Sequence, residues 1–91
     1  MPVYLVERNV TGVTVEDLAE CQKKAIRMGR KMTAEGIPVR YLRSTWVPGE
    51  NRCMCLFEAR SQEDVRQANE RGKLPYTKIV QAEDLFPGTP S

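Results

Sequence analysis

Two β-rich runs and the short connection between them restrict this chain more than any other stretch. They are Val39-Arg40-Tyr41-Leu42-Arg43-Ser44-Thr45-Trp46-Val47 and Arg52-Cys53-Met54-Cys55-Leu56-Phe57-Glu58-Ala59, joined by Pro48-Gly49-Glu50-Asn51. A Pro-Gly connection this short predicts an antiparallel hairpin in the middle of the chain. What flanks the hairpin then decides the fold.

Before it comes a helix. Thr14 with Asp17 three residues on reads as a capping box, and Glu16, Asp17 and Glu20 set negative charge against the positive end of the helix dipole. Leu18, Cys21, Ala25, Met28 and Met32 recur at spacings of three and four and form one apolar stripe, with Lys23, Lys24, Arg27, Arg30 and Lys31 largely off it. Gly36 supplies a left-handed stop and Ile37-Pro38 turns the chain extended, so the helix is predicted from Val15 to Glu35. After the hairpin, Ser61 with Asp64 repeats the capping pattern, Val65 and Ala68 begin a second apolar face, and the shorter helix ends near Gly72 because Pro75 forbids continuation. Pro2 to Asn9 reads as a first strand running into the turn Asn9-Val10-Thr11-Gly12, and Tyr76 to Leu85, carrying Ile79-Val80, as a last one.

The order strand, helix, strand, strand, helix, strand is that of the ferredoxin-like α+β folds: βαββαβ, a four-stranded antiparallel sheet with two helices on one face. With 91 residues, a single domain is expected over residues 1–86, followed by a flexible C-terminal tail at 87–91. Domains of this size bury only about two-thirds of the surface their unfolded chain exposes. A sheet face bare of helices yet rich in large apolar residues therefore predicts a homodimer of the dimeric α+β barrel type, two sheets facing each other across a cavity.

Composition removes several functional classes. Fourteen basic and 12 acidic residues give a net charge of +2, too balanced for a dedicated polyanion binder. The RNA recognition motif shares this element order, but its third strand needs stacking aromatics where this chain has Cys53-Met54-Cys55, so no nucleic-acid partner is expected. No stretch approaches the roughly 18 apolar residues of a membrane span, and the N-terminus lacks a signal peptide, so the expectation is a cytoplasmic protein without a membrane partner. Three cysteines in that setting read as reduced thiols; Cys53 and Cys55, two apart on a strand, have Cα atoms about 7 Å apart, at the edge of disulfide reach.

The chain contains no histidine. That takes away the usual base for a cysteine nucleophile; Arg43 or Arg52 could lower a thiol pKa but could not accept a proton at neutral pH. Cys53 and Cys55, with Glu7 or Glu58, remain weak metal candidates, but free cysteine behaves as a small hydrophobe and the pair reads as packing, so neither metal nor cofactor is expected. Acid and base chemistry would rest on Glu7 and Glu58, whose pKa would rise if they were enclosed between two subunits, with Arg43 stabilising an anionic intermediate. Against this stands a salt-bridged Glu7 partnered by Arg8 or Arg43. Trp46, Cys55 and Arg43 are the ligand-binding candidates. Tyr41 and Trp46 have opposite parities, so a regular strand would place them on opposite faces.

Tyr4-Leu5-Val6-Glu7-Arg8, Tyr41-Leu42-Arg43-Ser44, Cys55-Leu56-Phe57-Glu58-Ala59 and Leu74-Pro75 together resemble a family of small bacterial proteins of unassigned function, whose relatives include a nickel-binding protein with a dimeric ferredoxin-like fold. The resemblance implies the fold and the dimer. It also implies imidazole ligands for nickel, which this chain cannot supply, so no metal ligand carries over. Dimeric α+β barrels include cofactor-independent monooxygenases and isomerases, an analogy of fold alone. The expectation is thus a small cytosolic homodimer that binds a small ligand between its sheets. The alternatives are an isomerase or monooxygenase using a Glu base, and a Cys-based metal-binding protein.

Overall fold

The hairpin and its flanks form as the patterns require. In the computed structural model, which describes residues 1–88, the elements are β1 (Val3–Asn9), α1 (Val15–Ala34), β2 (Val39–Val47), β3 (Arg52–Ala59), α2 (Gln62–Arg71) and β4 (Lys78–Ala82). Three residues of the predicted tail, 89–91, lie outside the described residues. The strands pair antiparallel in the order β2-β3-β1-β4, the sheet of a ferredoxin-like α+β fold. Among the described residues, no helix is long and apolar enough to cross a membrane.

Local chemistry sets the helix ends. Thr14 Oγ1 accepts the Asp17 N–H at 3.1 Å and Asp17 Oδ2 accepts the Thr14 N–H at 2.9 Å, both halves of a capping box. At the other end Gly36 is left-handed, with φ +92°, and the N–H groups of Gly36 and Ile37 reach back to the carbonyls of Thr33 and Met32. These bonds satisfy two of the orphan carbonyls of the last turn. α2 begins where Ser61 Oγ accepts the Asp64 N–H at 3.2 Å.

Strand alternation sorts the sheet into two faces. Tyr4, Val6, Cys53, Cys55, Phe57 and Ala59 are buried and share one core with Ala25 and Met32 of α1 and Val65 and Ala68 of α2. The intervening residues point the other way. On that open face Leu5 lies between Leu56 and Val80, and Glu7 between Met54 and Lys78.

β2 departs from regular alternation. Tyr41 pairs with Phe57, but Arg43 pairs with Leu56, so Leu42 is an extra residue with no counterpart on β3. One inserted residue reverses the parity of everything after it. Tyr41 and Trp46, expected on opposite faces, therefore both turn to the helices, Tyr41 beside Phe57 and Trp46 beside Cys53.

α1 lies tightest on β2 near its C-terminal end. Gly29 is buried there, and a Cβ at that position would stand 2.8 Å from the carbonyl oxygen of Val39. Thr33 Oγ1 donates to that same oxygen and accepts the Val39 N–H, each at 3.2 Å. Backbone and helix are stapled together at this point.

Candidate functional site

The two faces divide the residues that the sequence had grouped. Glu7, Glu58 and Arg43 belong to the open face; Cys53, Cys55 and Trp46 belong to the helix face. No single cavity of one chain can hold both sets.

On the open face the charged candidates are paired. Glu7 Oε1 accepts from Arg52 Nη2 at 2.6 Å and from Nε at 3.2 Å, Glu58 meets Arg40 at 3.4 Å, and Arg43 binds Asp84. The partner of Glu7 is neither Arg8 nor Arg43. Arg8 faces the opposite side of β1, whereas Arg52 is the diagonal same-face neighbour across β3. The Arg52 guanidinium holds the Glu7 carboxyl below the usual range, so this carboxylate is ionised and occupied at neutral pH.

On the helix face lies a cavity of about 380 Å³, roofed by the N-terminal half of α1 and floored by β1, β2 and β3. Val13, Val15, Leu18 and Ala25 make its walls apolar. From this roof down to the floor runs a chain of polar groups. Gln22 Nε2 donates to the Tyr41 hydroxyl at 2.7 Å, Tyr41 and Ser44 share a 2.6 Å bond, and Ser44 Oγ donates to Cys55 Sγ at 3.0 Å. Because the single serine proton goes to sulfur, the Tyr41 proton goes to Ser44. Burial pushes the Tyr41 phenol up from its ordinary value, keeping it a neutral donor.

Arg8 approaches Cys55 from the other side, with Nε at 3.4 Å from Sγ. Only 4% exposed, it also donates from Nη1 to the carbonyls of Leu74 and Pro75 and from Nη2 to Asn69 Oδ1 at 2.6 Å. None of these partners is a carboxylate. Four of the five guanidinium N–H groups are used, and the fifth, on Nη2, has no acceptor among the described residues. A buried cation without a carboxylate is a costly arrangement, eased here by carbonyls that follow the C-terminus of α2.

Trp46 carries a second unsatisfied donor. Its indole Nε1 is buried with no acceptor among the described residues, although the ring lines the same cavity. Cys53 lies beside it on β3, and burial, with the neighbouring Cys55 adding to it, pushes its thiol up to about 11. It is a protonated thiol at neutral pH. All three cysteines, Cys21, Cys53 and Cys55, are free and line this cavity.

Arg8, Gln22, Tyr41 and Ser44 were not among the predicted site residues. Arg8 left a signal: Tyr4, Val6 and Arg8 share parity, so a strand with its apolar residues inward must carry that arginine inward too. For Gln22, Tyr41 and Ser44 the signal was absent, because their meeting depends on the irregularity at Leu42.

A family model described as the nickel responsive protein SCO4226-like family matches residues 4–81, from β1 through most of β4. The chain belongs to the SCO4226-like family. The crystal structure of SCO4226 from Streptomyces coelicolor A3(2) is similar over 92% of this chain and 99% of that one, with a TM-score of 0.78 and 16% identity, a likeness that carries the fold. No curated protein matches the chain.

The name of the SCO4226-like family raises the question of nickel, and the donor set answers it for this member. It has no histidine, and among the described residues no three of Cys, Asp and Glu converge as metal ligands would. Cys53 holds its proton, and Cys55 Sγ is already engaged by Ser44 and Arg8. The side chains of one chain do not fit a nickel site.

Proposed function

We propose that this SCO4226-like protein is a small-molecule-binding homodimer, with its ligand in the cavity between α1 and the sheet and a second copy covering the open face. The observation that carries the reading is the cavity itself: about 380 Å³, within the range of ligand sites, mostly apolar, with a few polar groups directed at one region. In this reading the ligand lies on the opposite side of the sheet from the inter-sheet position expected from sequence, which is supported by Trp46 and Cys55 turning to the helices.

The dimer is supported by the open face. Val3, Leu5, Met54, Leu56 and Val80 form an apolar centre, and the pairs Glu7–Arg52, Glu58–Arg40 and Arg43–Asp84 surround it. An apolar core within a charged rim is the anatomy of a protein interface. Four strands about 4.8 Å apart and about 20 Å long give a face of order 400 Å² before side-chain relief is counted, approaching the ~800 Å² per partner of a standard interface. Most stable oligomers of small chains are built from copies of the same chain, which favours a second copy as the cover. Three free thiols favour a cytoplasmic setting.

Neither alternative gains support from the geometry. A Glu base has lost Glu7 to Arg52, and a Cys-based metal site lacks a third ligand among the described residues. The reading is tested by light scattering, where a clean monomer at high concentration removes the dimer. A fragment screen observed on the indole N–H of Trp46 tests the cavity, and an unmoved signal throughout removes it.

A further inference from the structure

Two of the residues lining the cavity bring buried donors to it. The Trp46 indole N–H has no acceptor among the described residues, and the Arg8 guanidinium is bonded only to carbonyls, an amide and a sulfur. Asp17 is the single carboxylate among the residues lining the cavity, and it is tied to the Thr14 N–H at the exposed mouth. Away from that mouth the lining has donors and positive charge without a carboxylate beside them, and much of the remaining wall is apolar.

We propose that the cavity is specific for a small carboxylate with an apolar body, its carboxylate oxygens accepting from Arg8 and Trp46. The inference rests on the cavity being the ligand site. A carboxylate brings acceptors and the missing negative charge together, and a charge-assisted bond to a guanidinium is roughly twice as strong as a neutral one. A primary amide of the same shape brings one acceptor and two further donors, which would face donors already unsatisfied. The body of the ligand would lie against Val13, Val15 and Leu18, where it needs no polar groups. Tyr41, Ser44 and Gln22 are linked to one another and to Cys55, so they tie roof to floor and orient the site rather than supply its charge.

The experiment uses the intact chain and four probes: benzoate and hexanoate, with benzamide and hexanamide as neutral counterparts. The chain has one tryptophan, so a single indole N–H resonance reports the site. The carboxylates should shift it saturably and bind at least about tenfold more tightly than their amides, which corresponds to ~1.4 kcal/mol. Trp46→Phe, followed by calorimetry, should weaken benzoate binding about tenfold and leave the amides little changed. Arg8→Lys, if folded, should reduce the preference for carboxylate over amide. Amides that bind as tightly as carboxylates overturn the class of ligand while leaving the cavity standing. Four probes without effect overturn the cavity as a ligand site as well. Binding of benzoate that is indifferent to Trp46→Phe and Arg8→Lys overturns the role given to these two residues.

Discussion

Arg8 Nη2 donates to Asn69 Oδ1 at 2.6 Å, and both side chains are enclosed in the interior. The amide is held in the right sense because Asn69 Nδ2 donates to the Val65 carbonyl one turn earlier in α2, at 2.8 Å. The bond ties the first strand to the second helix across 61 residues of chain. Asn69→Leu keeps the volume but leaves a buried guanidinium short of an acceptor, so it should lower stability by about 2–3 kcal/mol. Urea unfolding checks this, and an unchanged midpoint would show that Arg8 is not held by that bond. Glu7→Gln, on the open face of the same strand, loses one ion pair at the edge of that face and should move the midpoint far less.

Deleting Leu42 tests the irregularity in β2. Without Leu42, Tyr41 is followed directly by Arg43, and the strand regains regular alternation with Tyr41, Ser44 and Trp46 all still turned to the helices. The core contacts are kept, so stability should fall by no more than about 1–2 kcal/mol. The sole tryptophan reports the outcome directly: its emission should hold the wild-type position. In a strand that was regular to begin with, the same deletion would turn Trp46 outward, so a red shift with a large loss of stability would refute the bulge.

Cys53 gives a pH signature. Its thiol titrates at about 11 in the folded chain, above the ordinary value that it regains on unfolding, chiefly because burial disfavours the thiolate. The folded state therefore holds a proton that the unfolded state releases between the two values. The stability contributed by the neutral thiol is complete below the ordinary thiol pKa and is lost as pH rises toward 11, with a slope of at most about 1.4 kcal/mol per pH unit. The difference between wild type and Cys53→Ala, followed from pH 8 to about 11, isolates this contribution from other groups. Parallel curves would contradict it.

Gly29→Ala adds a Cβ that would stand 2.8 Å from a backbone oxygen of β2, a contact no rotamer can relieve. The helix must move away, at a cost of about 1–3 kcal/mol that exceeds the gain in helix propensity. Thermal unfolding should show a lower midpoint, whereas a rise would mean that the helix sits farther from the sheet than described.

The fold was legible in the sequence because it is written in local chemistry. The caps at Thr14 and Ser61, the stop at Gly36 and the hairpin around Pro48-Gly49 each act within a few residues, and each stands where its pattern places it. The site depends on relations of a different kind. Which face Trp46 takes is decided by one unpaired residue in β2, and whether Glu7 is free is decided by Arg52, far along the chain on a neighbouring strand. Arg8 was readable from parity alone, but a charge on an inward position looks, in sequence, like the end of a strand. Asn69, at a polar position of α2, gave no sign that it would be buried as the partner of that charge.

The close seat of α1 at Gly29 and Thr33 has a consequence for the opposite end of the helix. A rod clamped near one end fixes the height of the other, so the headroom above the floor of β-strands is set by a glycine that lies outside the cavity lining. The size of molecule such a chamber admits could then drift among related chains through the clamp alone, with every wall residue kept. Selectivity in this architecture would be adjusted as a lever is, from its fulcrum.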